Sequence, residues 1–115
     1  MRVYELMLIL DTDLDDAAVQ GLLARVGDLV QAGGGKVATS EKWGRRRLAY
    51  EINKKLEGYY VVLQIVTEAT NLHDLDRVLR LADGVIRHKT IRLPDREAVR
   101  RGLLGTLAPV AGRNP

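Results

Sequence analysis

The sequence predicts an α+β domain of the split β-α-β type, a four-stranded antiparallel sheet with two helices on one of its faces. Three features of its 115 residues carry that expectation. Four runs are extended and rich in apolar or β-branched residues, and two others repeat apolar residues at helical spacing. Their order is strand, helix, strand, strand, helix, strand. Right-handed crossovers then leave few topologies and bring the first and last strands adjacent or near to each other.

Val3 to Leu10 is apolar except at Glu5, the pattern of a central strand flanked by neighbours. Asp11-Thr12-Asp13-Leu14-Asp15 offers side-chain oxygens to the free N–H groups of a first helical turn. The helix that follows runs to about Gln31, with a stripe of Ala18, Leu22, Val26 and Leu29 widened by Val19, Leu23 and Val30. Gly33-Gly34-Gly35 stops it. These glycines follow a helix, whereas a phosphate cradle precedes one, so no nucleotide loop is predicted. Lys36 to Tyr50 reads as a long strand in which Gly44 marks a bulge or a close backbone approach.

Glu51 to Gly58 reads as a polar connection, and Tyr59 to Val66 as the strongest strand. Gln64 is its one strongly polar residue, which points the face of Tyr59, Val61, Leu63 and Ile65 at the core. Thr70-Asn71 caps a second helix bearing Leu72, Leu75, Val78, Leu79 and Ala82, and Asp83-Gly84 ends it. The last strand is Val85 to Leu93, closed by Pro94. Neither Ile86, His88 and Thr90 nor Val85, Arg87, Lys89, Ile91 and Leu93 is cleanly apolar, so alternation does not assign its inward face. The sequence thus divides into a domain over residues 1–94 and a basic tail over 95–115, expected to be mobile until something binds it, with a short helix possible over Ala98 to Leu104.

The residue inventory excludes most chemistry. Without cysteine there are no disulfides, thiolate nucleophiles or cysteine metal ligands, a usage that suits a reducing cytoplasm. The apolar run at the start is far too short to span a membrane. Around His73 and His88 the sequence shows no carboxylate or histidine at metal-ligand spacing, and Asp11 to Asp16 lacks the glycine and closing glutamate of a calcium loop. No Ser/His/Asp set exists, so neither catalysis, nor a cofactor, nor a metal is expected. An acyl-phosphate hydrolase on this fold would need an arginine after the first strand, where this chain is acidic.

Charge carries the positive signal. The net charge is +3 and the pI about 9.4, but the distribution matters more than the sum. The first third is acidic, and the bases gather in Arg45-Arg46-Arg47 and beyond Gly84. Arg45 and Arg47 would face one way in a strand and Arg46 the other. Such a run serves either as a solvated edge that discourages aggregation or as a docking surface for phosphates. Arg2, Arg87, Lys89 and Arg92 can lie nearby, and Tyr4, Trp43 and Tyr50 are flat side chains that either stack on bases or fill the core. No Lys/Arg-Gly-Phe/Tyr motif of single-strand readers is present, which favours recognition of folded RNA by phosphate and shape. The competing class is a homodimeric small-metabolite sensor, whose expected glycines at helix starts are missing here.

Met1-Arg2-Val3-Tyr4-Glu5, Trp43-Gly44-Arg45-Arg46-Arg47-Leu48-Ala49-Tyr50 with Ile52-Asn53-Lys54, Gly58-Tyr59-Tyr60 and Val85-Ile86-Arg87 together resemble the bacterial small-subunit ribosomal protein six family, over Met1 to Arg92. The resemblance implies a ferredoxin-like fold, no enzymatic activity and a place on the cytoplasmic ribosome. It also implies binding to the central domain of 16S ribosomal RNA and a heterodimer with ribosomal protein eighteen during assembly. Carried over by position, Arg2, Arg45, Arg46, Arg47 and Arg87 become RNA or partner contacts. Tyr4, Trp43, Tyr50, Lys89 and Arg92 complete the expected surface. The chain departs from the family at Glu51, where proline is usual, and in its tail, which ends Arg113-Asn114-Pro115 where some members are acidic.

Overall fold

The computed structural model describes residues 1–52, 54–69 and 72–102. Its elements are β1 (Arg2–Leu10), α1 (Asp16–Ala32), β2 (Lys36–Ile52), β3 (Lys55–Thr67), α2 (His73–Leu81), β4 (Val85–Leu93) and α3 (Asp95–Arg100). The strands form one antiparallel sheet in the order β2-β3-β1-β4. That is the predicted split β-α-β arrangement, with β1 beside β4. Tyr4, Leu6, Leu8 and Leu10 of β1 and Val61, Leu63 and Ile65 of β3 face the two long helices, which bury Val19, Val26, Val30, Leu75 and Leu79 against them. Burying one such leucine or valine contributes about 1.5 to 3 kcal/mol.

Asp15 caps α1 by accepting from the Ala18 N–H at 2.8 Å, as its position after the first strand suggests. The stripe is rotated slightly from expectation: Val19, Val26 and Val30 are buried, Leu22, Leu23 and Leu29 lie at the margin of the core, and Ala18 is exposed. For α2 the structure places Leu72 at the cap position with no side-chain cap bond. The expected cap, Thr70-Asn71, lies outside the described residues.

Three other expectations need revision. The polar connection assigned to Glu51–Gly58 is mostly strand, because β2 continues to Ile52 and β3 begins at Lys55. A ladder joins backbone groups, so polar side chains do not end it. The undecided face of β4 is settled by register. His88 pairs with Leu8 and Thr90 with Leu6, which turns them toward the helices, while Arg87, Lys89, Ile91 and Leu93 share the open face with Ile9, Met7, Glu5 and Val3. His88 is accommodated there because its Nε2 lies 2.6 Å from Asp76 Oδ1 of α2.

The third revision concerns the chain after Pro94. Asp95–Arg100 forms α3 and Ala98 is 0% exposed, packed with Val3, Val66 and Leu93 on the open face. The packed body therefore extends beyond the boundary drawn at residue 94; residues 103–115 lie outside the described residues. Beside α3 runs a polar row that explains the two breaks in the apolar strands. Gln64 accepts from Thr39 Oγ1 at 2.9 Å and donates to its register partner Glu5 at 3.4 Å. Glu5 in turn accepts from Arg101 at 3.3 Å.

Candidate nucleic-acid interface

The sheet is lopsided. β1 pairs with β3 only from Tyr59 to Thr67, yet β3 starts at Lys55 and its partner β2 extends well past that point. The excess forms a two-stranded arm, and the molecule measures 48 × 27 × 23 Å. Of the seventeen residues of β2, only Leu48 is buried. The arm is held by a few anchors rather than by a core.

Gly58 is the first anchor. A Cβ there would come within 2.3 Å of Ile9 Cγ2 and 3.5 Å of Leu48 Cδ2, so the absent side chain lets Leu48 fold onto the end of β1. The fold-back is possible because the β2–β3 register jumps between Arg47↔Glu57 and Ile52↔Lys55, setting Leu48 to Glu51 against Leu56 alone. Tyr50 then reaches β4, where its hydroxyl accepts from Arg87 Nη1 at 2.7 Å. Lys55 ties the arm to the β1–α1 loop, with Nζ 3.3 Å from Asp13 Oδ2 and 3.4 Å from Asp11 Oδ2. Hydrogen bonding to Asp13 and Asp11 raises the Lys55 pKa. The Asp11 carboxyl is lowered chiefly by accepting the Asp13 N–H.

Register also divides the arginine run. Arg46 pairs with Gly58 and shares the open face with Leu48 and Tyr50, whereas Arg45 and Arg47 pair with Tyr59 and Glu57 and face the other way. All three are exposed. Arg45 reaches Glu57 only at 3.9 Å, between side chains 63% and 49% exposed, a separation and exposure at which an ion pair contributes little. Arg46 and Arg47 form no ion pair with another described residue. Arg46 instead lies over the Trp43 ring, 5.3 Å from its centroid. Trp43 stands in the bulge between Lys42 and Gly44, whose φ of +85° is a conformation glycine adopts without strain.

The remaining residues of the expected surface separate. Arg87 and Lys89 lie on the open face with Arg46 and Tyr50. Arg2 and Arg92 sit at the far ends of β1 and β4, in register with Thr67 and Tyr4, and turn to the helix side. There Arg2 donates to the Glu68 carbonyl at 3.1 Å, and Arg92 lies 3.5 Å from Asp95. Tyr4 is 6% exposed within the helix-side core and donates its hydroxyl to the Ala69 carbonyl, so it fills the core and is closed to a ligand. Sequence reasoning missed Lys55 and Gly58 as the residues that fix the arm. A glycine just before a run of β-branched and aromatic residues was the available signal for the second. Among the described residues, no group of three metal-ligating side chains assembles.

Comparison with known proteins matches this architecture. The family model described as Ribosomal protein S6 covers residues 3–92. The small ribosomal subunit protein bS6 of Carboxydothermus hydrogenoformans is 42% identical over 92 residues, 80% of this chain and 96% of that one. The protein of the same name from Corynebacterium efficiens is 47% identical over 93 residues, 81% and 98% of the two chains. The crystal structure of 30S ribosomal protein S6 from Thermotoga maritima superposes with a TM-score of 0.78 at 33% identity, covering 87% of this chain and 94% of that one. With the split β-α-β sheet, the exposed arginine arm and these relatives in agreement, the chain belongs to the ribosomal protein S6 family, structural and non-enzymatic components of the small ribosomal subunit.

Proposed function

We propose that this small-subunit protein binds the central domain of 16S ribosomal RNA together with ribosomal protein eighteen during assembly, and that the β2–β3 arm is its principal RNA contact. The observation that carries this reading is a run of three consecutive exposed arginines, Arg45 at the root of the arm and Arg46 and Arg47 on it, the last two without an ion pair among the described residues. Guanidinium groups in that setting keep their donors for phosphate oxygens. The open face offers the partner a surface of different character. Met7, Ile9 and Tyr60 lie beside Arg87 and Lys89 around a shallow cavity of about 150 Å³.

Arg45 and Arg47, which face away from that cavity, belong to the RNA side. Arg87, Lys89 and Tyr50 belong to the partner side, with Arg46 at the boundary. A homodimeric metabolite sensor gains nothing from the geometry, since Gly33, Gly34 and Gly84 follow the helices instead of opening them.

Sedimentation tests the proposal. The chain should travel with small subunits at moderate salt and leave them at high salt, because each neutralised phosphate releases counterions. Failure to co-sediment at moderate salt contradicts it.

A further inference from the structure

We infer that Trp43 is a stacking platform for one unpaired ribonucleotide base, with Arg46 as its resting cover. The inference rests on the RNA-binding reading above and narrows it to one subsite. Trp43 is the chain's single tryptophan, and it belongs to neither core cluster. The ring is 44% exposed, although an aromatic side chain of this size normally contributes most when buried. Its placement follows from the bulge. β2 slips register between Lys42 and Gly44, and a Cβ built at Gly44 would find nothing within 4 Å, so the strand next to Trp43 is open to solvent.

The guanidinium of Arg46 lies over the ring. A cation–π contact at an exposed site is the weaker association, and a nucleobase on an aromatic face the stronger. An arriving base therefore displaces the guanidinium, which becomes available to a phosphate of the same strand. Among the described strands β2 is an edge of the sheet, so a strand of RNA running along it meets Arg46 on one side and Arg45 and Arg47 on the other. Ring and cations recognise a π-face and phosphates, which every nucleotide presents. The platform thus takes an extruded base without reading its identity.

The test uses the full chain with ribosomal protein eighteen in constant excess and an end-labelled transcript of the 16S central domain. Trp43→Ala should weaken binding about tenfold with the salt dependence of the affinity unchanged. Trp43→Phe, which keeps a π-face, should stay within about threefold of the unaltered chain. Arg46→Ala should reduce the salt slope by about one. The emission difference between the unaltered chain and Trp43→Phe isolates Trp43 and should be quenched at saturation. Unaltered affinity of Trp43→Ala, or unquenched Trp43 emission at saturation, overturns the platform while leaving RNA binding by the arm in place. Absence of binding by the unaltered chain overturns both. If Trp43→Ala unfolds, the emission measurement and Trp43→Phe decide.

Discussion

β1 and β2 are both strands of one sheet, yet they share almost nothing in how they are held. In β1, Val3, Tyr4, Leu6, Leu8, Ile9 and Leu10 are buried, and the strand has a hydrogen-bonded neighbour on each side. In β2 only Leu48 is buried, and no other described strand pairs with its outer edge. The body is stabilised by apolar burial, whereas the arm is stabilised by a backbone ladder and three point anchors: Leu48 over Gly58, Tyr50 on Arg87, and Lys55 on Asp11 and Asp13. The difference teaches where charge can be placed at little cost. A guanidinium at one of the buried positions of β1 would have to leave water, but Arg45, Arg46 and Arg47 on β2 remain solvated and keep their hydrogen bonds for a ligand.

The sharpest contrast should come from the body. Leu63→Ala removes a fully packed side chain and should cost about 2 to 5 kcal/mol in denaturant unfolding, with RNA affinity of the folded fraction unchanged. Gly58→Ala strikes the junction instead. Its new methyl meets Ile9 Cγ2, and overpacking of this kind costs about 1 to 3 kcal/mol. Because the arm must swing to relieve the contact, RNA affinity should fall too, which separates it from Leu63→Ala.

Asp76→Asn should have the smallest effect, and one that depends on pH. The Asp76 carboxyl is held below its ordinary value of 3.8, first by its hydrogen bond to His88 and also by Arg80. A depressed carboxylate contributes stability that is fully present above the ordinary value and is lost as pH falls through the lower folded one. The advantage of the native chain over Asp76→Asn should therefore be seen in thermal melts at neutral pH and vanish well below pH 3.8.

The body was legible in the sequence and the arm only partly so, for one physical reason. Burial writes itself into side-chain pattern, so β1 could be read as a central strand from its apolar run, the core face of β3 from Val61, Leu63 and Ile65, and the stripe of the first helix from Val26. A ladder between polar strands leaves no such trace, and Glu51 to Gly58 was accordingly read as a connection. Tyr4 shows the opposite failure: an aromatic beside a basic residue suits a ligand surface or a core equally, and only register placed it inside. The face of β4 was hidden because His88 and Thr90 are polar residues turned inward, and the Asp76 contact that accommodates His88 joins positions far apart in the chain. Gly44 in the long strand did announce its bulge, and the alternation of Arg45, Arg46 and Arg47 was read correctly as two-sided.

The division of labour between body and arm is tested most directly by replacing Arg45, Arg46 and Arg47 together with alanine and measuring both folding and incorporation into small subunits across a salt series. Because none of the three is buried, the unfolding free energy should stay within about 0.5 kcal/mol per site of the native chain. Incorporation should be lost at moderate salt, and the residual affinity should show a shallower salt dependence, by about one for each phosphate contact removed. A variant that folds normally and enters small subunits as well as the native chain would contradict the assignment of the arm to RNA.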